Sequence, residues 1–101
     1  MGPLELTVAP VEAPSRVTQD EELLEPPYAV VLYNDDVNNM QHVVEALMQC
    51  VPHLSHEEAA EIMLEAHQNG QARVTVAPHG EAARYRNCLE SHGLTATIEP
   101  A

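Results

Sequence analysis

The pattern of apolar and polar positions changes along this chain, from a continuous apolar run to a helical period and then to alternation with a period of two. Tyr28-Ala29-Val30-Val31-Leu32-Tyr33 is a continuous apolar run bounded by Pro27 and Asn34, which reads as a strand. Met40, Val43, Val44, Leu47, Met48 and Val51 then fall at i, i+3, i+4, i+7, i+8 and i+11, one face of a helix that Pro52 ends. Asn38 is placed to cap that helix, with Gln41 three residues on as the reciprocal partner. Ser55-His56-Glu57-Glu58 forms a second capping box ahead of the stripe Ala59, Ile62, Met63 and Ala66, and Gly70 fits the position just past the helix end. Ala72, Val74 and Val76 alternate with Arg73 and Thr75 as a half-buried strand, followed by a turn at Pro78-His79-Gly80. Ala82 to Ser91 carries a weaker helical stripe of Ala82, Tyr85, Cys88, Leu89 and His92, stopped by Gly93. Leu94, Ala96 and Ile98 alternate again as a last strand. The order β-α-α-β-α-β predicts an α+β fold, a three-stranded antiparallel sheet with three helices packed on one face.

Before this pattern, residues 1–27 hold five prolines and the acidic run Asp20-Glu21-Glu22, a composition expected of a disordered or extended arm. The chain therefore divides into a tail, 1–27, and one small domain, 28–101. Phe and Trp are absent, so Val, Leu, Ile, Ala and Met must fill the core.

Charge narrows the function. The formal net charge is −12, Lys is absent, and Arg16, Arg73, Arg84 and Arg86 are the only basic side chains besides His. Nucleic-acid backbones and anionic membranes require clustered positive charge, so neither is an expected partner. A cationic ligand is the natural complement. Cys50 and Cys88 lack a Cys-x-x-Cys spacing and are expected to be reduced core thiols. No basic and apolar leader opens the sequence, so the expected location is the cytoplasm, or an organelle stroma after processing. His53 and His56 have an H-x-x-H spacing, but no compact four-ligand set accompanies it, and no metal or other cofactor is expected. No nucleophile elbow or phosphate loop is present, so an enzyme is not expected.

Asn34-Asp35-Asp36 is the most informative run. It sets three polar side chains at the edge of an apolar surface, which suits a ligand with a cationic end and an apolar end. Taken alone, such a run reads as a turn. With Met40 on the following helix and Met63-Leu64-Glu65-Ala66-His67-Gln68-Asn69-Gly70 downstream, the chain resembles ClpS, the adaptor family that selects N-degron substrates for the Clp AAA+ protease. The resemblance covers roughly Pro26 to Glu99.

A free protein N-terminus is a cation with three N–H donors, and recognising it requires fixed acceptors, at least one of them charged. The resemblance implies that Asn34, Asp35 and His67 bind this amine, with Asp36 at the rim. It implies that Asn38, Met40, Val43, Met63, Ala66 and Leu94 line a side-chain pocket for Phe, Tyr, Trp or Leu. Two of these depart from the family pattern: Asn38 stands where Thr is usual, and Ala66 where a larger β-branched residue is common. The implied partners are N-degron proteins and the N-terminal domain of a Clp AAA+ ATPase; a monomer is the default expectation for the chain itself. ATPase docking would fall on Glu81, Arg84, Tyr85 and Arg86. There the family's Glu and Lys align with Gly80 and Tyr85, so the charges are displaced by one residue. The alternatives are a docking domain with a diverged pocket, which would bind the ATPase and ignore peptides, and a small metallo-aminopeptidase.

Overall fold

A computed structural model describes residues 26–101; the expected tail lies outside the described residues, apart from its last two prolines. The elements run β1 (Pro27–Tyr33), α1 (Met40–Cys50), α2 (His56–Asn69), β2 (Gln71–Pro78), α3 (His79–Ser91) and β3 (Ala96–Pro100). The three strands form one antiparallel sheet in the order β2-β1-β3. The α+β fold is the one that the periodicity predicts.

Central placement explains the composition of β1. Ala29, Val30, Val31 and Leu32 are all buried. Val30 and Leu32 enter the core beneath the helices, while Ala29 and Val31 face the other side between residues of the flanking strands. A central strand whose residues are buried on both faces suits a continuous apolar run rather than an alternating one. Helix α3 contacts all three strands, α2 contacts β2 and β1, and α1 packs against both helices. Val43, Val44, Ala46 and Leu47 carry the buried face of α1, and Leu89 and Ala82 that of α3. No polar or charged side chain is buried among the described residues.

Four details differ from the sequence reading. Asn39, not Asn38, caps α1: its side chain accepts the His42 N–H at 2.7 Å. Two adjacent asparagines are equally competent caps, and Asn38 is held elsewhere, as described below. The core face of β2 is Ala72, Val74 and Ala77, whereas Val76 is 43% exposed. The cause is a bulge: Val30 pairs with Thr75 but Val31 with Arg73, so Val74 is an extra residue and the alternation inverts beyond it. Helix α3 starts at His79, with Pro78 in the cap position, so the expected turn is the helix's first residues. Finally, Cys50 and Cys88 form a disulfide with their Cα atoms 5.6 Å apart, which corrects the expectation of two free thiols. Sequence separation conceals the proximity that the packing of α1 on α3 creates. The capping box at Ser55 and Glu58 is complete, and Gly70 ends α2 at φ +91°, a conformation that favours glycine.

Candidate functional site

The residue that ends α2 also positions the site. Gly70 donates its N–H to the Ala66 carbonyl at 2.8 Å and accepts the Asn34 N–H at 2.9 Å. That second bond pins the start of the β1–α1 loop to the end of α2, so Asn34 and His67 come together although they lie far apart in sequence. Leu94, buried just before β3, closes the opposite side, with the Tyr33 N–H donating to the Thr95 carbonyl at 3.0 Å.

The result is a cavity of about 350 Å³, counting its open mouth. Its apolar wall includes Leu32, Met40, Val43, Met63, Ala66 and Leu94, and its polar edge Asn34, Asp35, Asn38 and His67. All the residues that the sequence assigned to amine or side-chain contact therefore surround one space. Asp36 does not line it; it is exposed, and the Asn34 carboxamide donates to it at 3.4 Å. Leu32 and Tyr33 line the cavity as well. The sequence reading assigned them only to the strand, although their place directly before Asn34 is the signal that they reach it.

Asp35 is the electrostatic centre. Its Oδ1 accepts the Val37 N–H at 2.7 Å and the Asn38 N–H at 3.4 Å, and its Oδ2 accepts the Asn38 carboxamide. Hydrogen bonding to the charged form favours it. The Val37 N–H, followed by the Asn38 side chain, holds the Asp35 carboxyl below its ordinary range. Three of its roughly four acceptor positions are filled, which leaves capacity for one further donor. The same Asn38 amide nitrogen donates to the Gly93 carbonyl at 3.0 Å. Asn38 thus ties the anionic loop to the α3–β3 connection. His42, in the first turn of α1, adds a second tie through Nε2 to the His92 carbonyl at 2.8 Å.

His67 is exposed at the mouth, and no hydrogen bond anchors its ring among the described residues.

The arrangement is a partly exposed, pre-oriented carboxylate beside an apolar hole. It can hold a cation and an adjoining hydrophobic group at once, and it offers no activated nucleophile. Residues 24–97 match the family described as "ATP-dependent Clp protease adaptor protein ClpS". The chain belongs to the ClpS adaptor family. A ClpS from Synechococcus elongatus is 41% identical over 95 residues, covering 94% of this chain and 98% of that protein. A chloroplastic ClpS relative from Arabidopsis thaliana is 40% identical over 75 residues, 74% of this chain and 47% of its own length. Among solved structures, Agrobacterium tumefaciens ClpS2 bound to L-phenylalaninamide superposes with a TM-score of 0.71 at 27% identity, covering 75% of this chain and 98% of that one. ClpS proteins are adaptors of the Clp protease and not enzymes, so the aminopeptidase alternative falls away.

The residues proposed for ATPase docking lie on α3 and do not line the cavity. The Tyr85 hydroxyl donates to the Glu81 carboxylate one turn before it, and that bond, with burial, raises the phenol above its ordinary value. Arg84 is exposed, and Arg86 donates through Nε to Asn87 at 3.1 Å. One cluster with metal-ligand chemistry, Cys50, Cys88 and His92, was not read from the sequence. Its sulfurs are bonded to each other, so neither is a thiolate ligand in this state.

Proposed function

We propose that this chain captures proteins whose free N-termini begin with Phe, Tyr, Trp or Leu and hands them to a Clp AAA+ ATPase for degradation. The observation that carries the reading is Asp35, an oriented carboxylate with a spare acceptor position at the edge of the apolar cavity. An α-ammonium group and the first side chain of a peptide are joined at one carbon, so they need these two environments side by side. The ligand of the Agrobacterium neighbour, L-phenylalaninamide, has the same chemistry: a free amine, an aromatic side chain and a carboxyl capped as an amide. In this reading Asn34, Asp35 and His67 hold the amine, and Asp36 contacts the ligand backbone. Asn38 acts on the pocket by fixing Asp35. Met40 and Met63 adapt to ring or branched side chains because their thioethers are flexible and polarisable. Glu81, Arg84, Tyr85 and Arg86 form the ATPase-facing patch. The cyanobacterial and chloroplastic origin of relatives supports a bacterial cytoplasm or an organelle stroma as the location.

The test is fluorescence anisotropy with a labelled peptide starting with a free Phe, against the same peptide acetylated. Acetylation removes the charge and most donors of the amine. Binding of the free form alone is the expected result; equal binding of both would disprove the reading.

Ala66 gives a second prediction. It is buried in the cavity wall, and valine there would add volume to the side facing the ligand. Ala66→Val is expected to lower the affinity for Phe and Trp N-termini relative to Leu by about tenfold, the effect of one or two methyl-sized groups in a fitted pocket. An unchanged order across a four-peptide panel would show that Ala66 does not set pocket size.

A further inference from the structure

We propose that Cys50 and Cys88 are a reversible thiol–disulfide site whose oxidation state sets the order of the pocket. The effect on peptides rests on the reading above; the effect on the loop does not. Cys50 is the last residue of α1 and 6% exposed; Cys88 lies near the end of α3 and is partly exposed. Their bond joins the C-terminal ends of the two helices. His92, one turn beyond Cys88, places a ring nitrogen within 4.8 Å of both sulfurs.

The exchange chemistry follows from this asymmetry. In the reduced protein Cys88 is the more accessible sulfur, and the His92 imidazole is placed to take its proton. The Cys88 thiolate attacks a small-molecule disulfide such as oxidised glutathione, whose S–S bond breaks and releases one glutathione thiol. Cys50, as its thiolate, then attacks the Cys88 sulfur of the mixed disulfide and releases the second glutathione. Two electrons and two protons pass from the protein to the reagent. A reducing compartment drives the same steps backwards.

The bond matters to the pocket because of what lies at the other end of α1. The His92 N–H donates to the Cys88 carbonyl at 3.3 Å, the His92 carbonyl meets the His42 ring, and the Gly93 carbonyl accepts from Asn38, which holds Asp35. Helix α1 and the loop before it are therefore fastened to α3 and the residues after it twice, covalently at Cys50 and by side-chain hydrogen bonds at Asn38 and His42. Removing the covalent fastening leaves the second one at a partly exposed surface, where local opening is easy. Each opening releases Asn38 from Gly93, and Asp35 then loses a fixed partner.

The test uses the full chain equilibrated in oxidised or reduced glutathione. Free thiols are trapped with iodoacetamide and counted by intact mass. Amide hydrogen exchange is followed at residues 38–43 and 92–95, and a peptide with free N-terminal Phe is titrated into each form. A Cys50→Ala/Cys88→Ala double variant serves as the permanently open control. Two interconverting forms are expected. The reduced form should exchange about tenfold faster in both segments and bind the peptide several-fold more weakly, with the double variant matching it in either buffer. Failure to form the bond in oxidised glutathione overturns the proposal, as does identical exchange in the two forms. If no free N-terminus binds in either form, the reading of the pocket fails, and exchange alone decides the coupling.

Discussion

Asp35→Asn will weaken binding of a peptide with a free N-terminal Phe by about 10- to 100-fold, the effect of losing one charge-assisted hydrogen bond. The substitution is nearly isosteric, so the change isolates charge. An asparagine oxygen can still accept the Val37 N–H that now meets Oδ1. Its NH₂ group, however, would face the Asn38 carboxamide donor and the ammonium of the ligand, replacing an attraction with a donor–donor conflict. Glu99→Gln is the matched control, because it removes the same unit of charge from an exposed position on β3, outside the cavity lining; it should leave affinity within about twofold, since an exposed charge that does not touch the ligand acts only through screening solvent. Calorimetric titration of the three proteins at one ionic strength distinguishes the outcomes. Equal losses in both variants would mean that the net charge of −12 attracts the cation without a specific site.

The pH profile sharpens the same point. The Asp35 carboxyl is depressed by the Val37 N–H and then by Asn38. The sign follows: a depressed acid contributes fully above its ordinary value and loses that contribution only as pH falls through the lower, folded one. The affinity ratio of the parent protein to Asp35→Asn should therefore stay constant from pH 7 down to about 4 and collapse below it. Above about pH 8 both affinities fall, because the ligand amine loses its proton. A ratio that already declines between pH 6 and 5 would assign the effect to another group.

The parts of this molecule that could be read in advance are those that periodicity and side-chain chemistry encode. The stripe from Met40 to Val51 and the pair of capping groups at Ser55 and Glu58 each leave a local signature. The cavity residues could be assigned because Asn34-Asp35-Asp36 and the Met63 to Gly70 segment keep a recognisable order. What stayed hidden lacks such a signature. The bulge at Val74 is a register change with no compositional mark, and it turns Val76 outward. The carbonyls of His92 and Gly93 hold the pocket loop through groups that every residue carries. The Cys50–Cys88 pairing is a property of helix packing. Asn38 shows the consequence: as a cap it would have been structural, whereas as the partner of Asp35 and Gly93 it organises the site.

Leu47→Ala should remove about 2–5 kcal/mol of stability, the range for a fully buried leucine. Leu47 is 0% exposed at the centre of α1, the helix that packs against both α2 and α3. Its loss therefore weakens the contact that carries Met40 and Val43 to the cavity. The core holds no Phe or Trp, and short branched neighbours cannot swing in to fill the void, which pushes the expected cost towards the upper part of that range. Small domains have only about 5–15 kcal/mol in total, so urea denaturation of the oxidised protein should show a large drop in midpoint at unchanged slope. Gln49→Ala, exposed on the same helix, should change it by no more than about 0.5 kcal/mol. Peptide at 100 times its dissociation constant should then restore about 2.7 kcal/mol to Leu47→Ala, because ligand binds only the folded state. Restoration would mean that the cavity survives in the variant once folded. A midpoint that falls and does not respond to peptide would mean instead that α1 packing and pocket geometry are one property, with Leu47 part of the binding site through the helix it anchors.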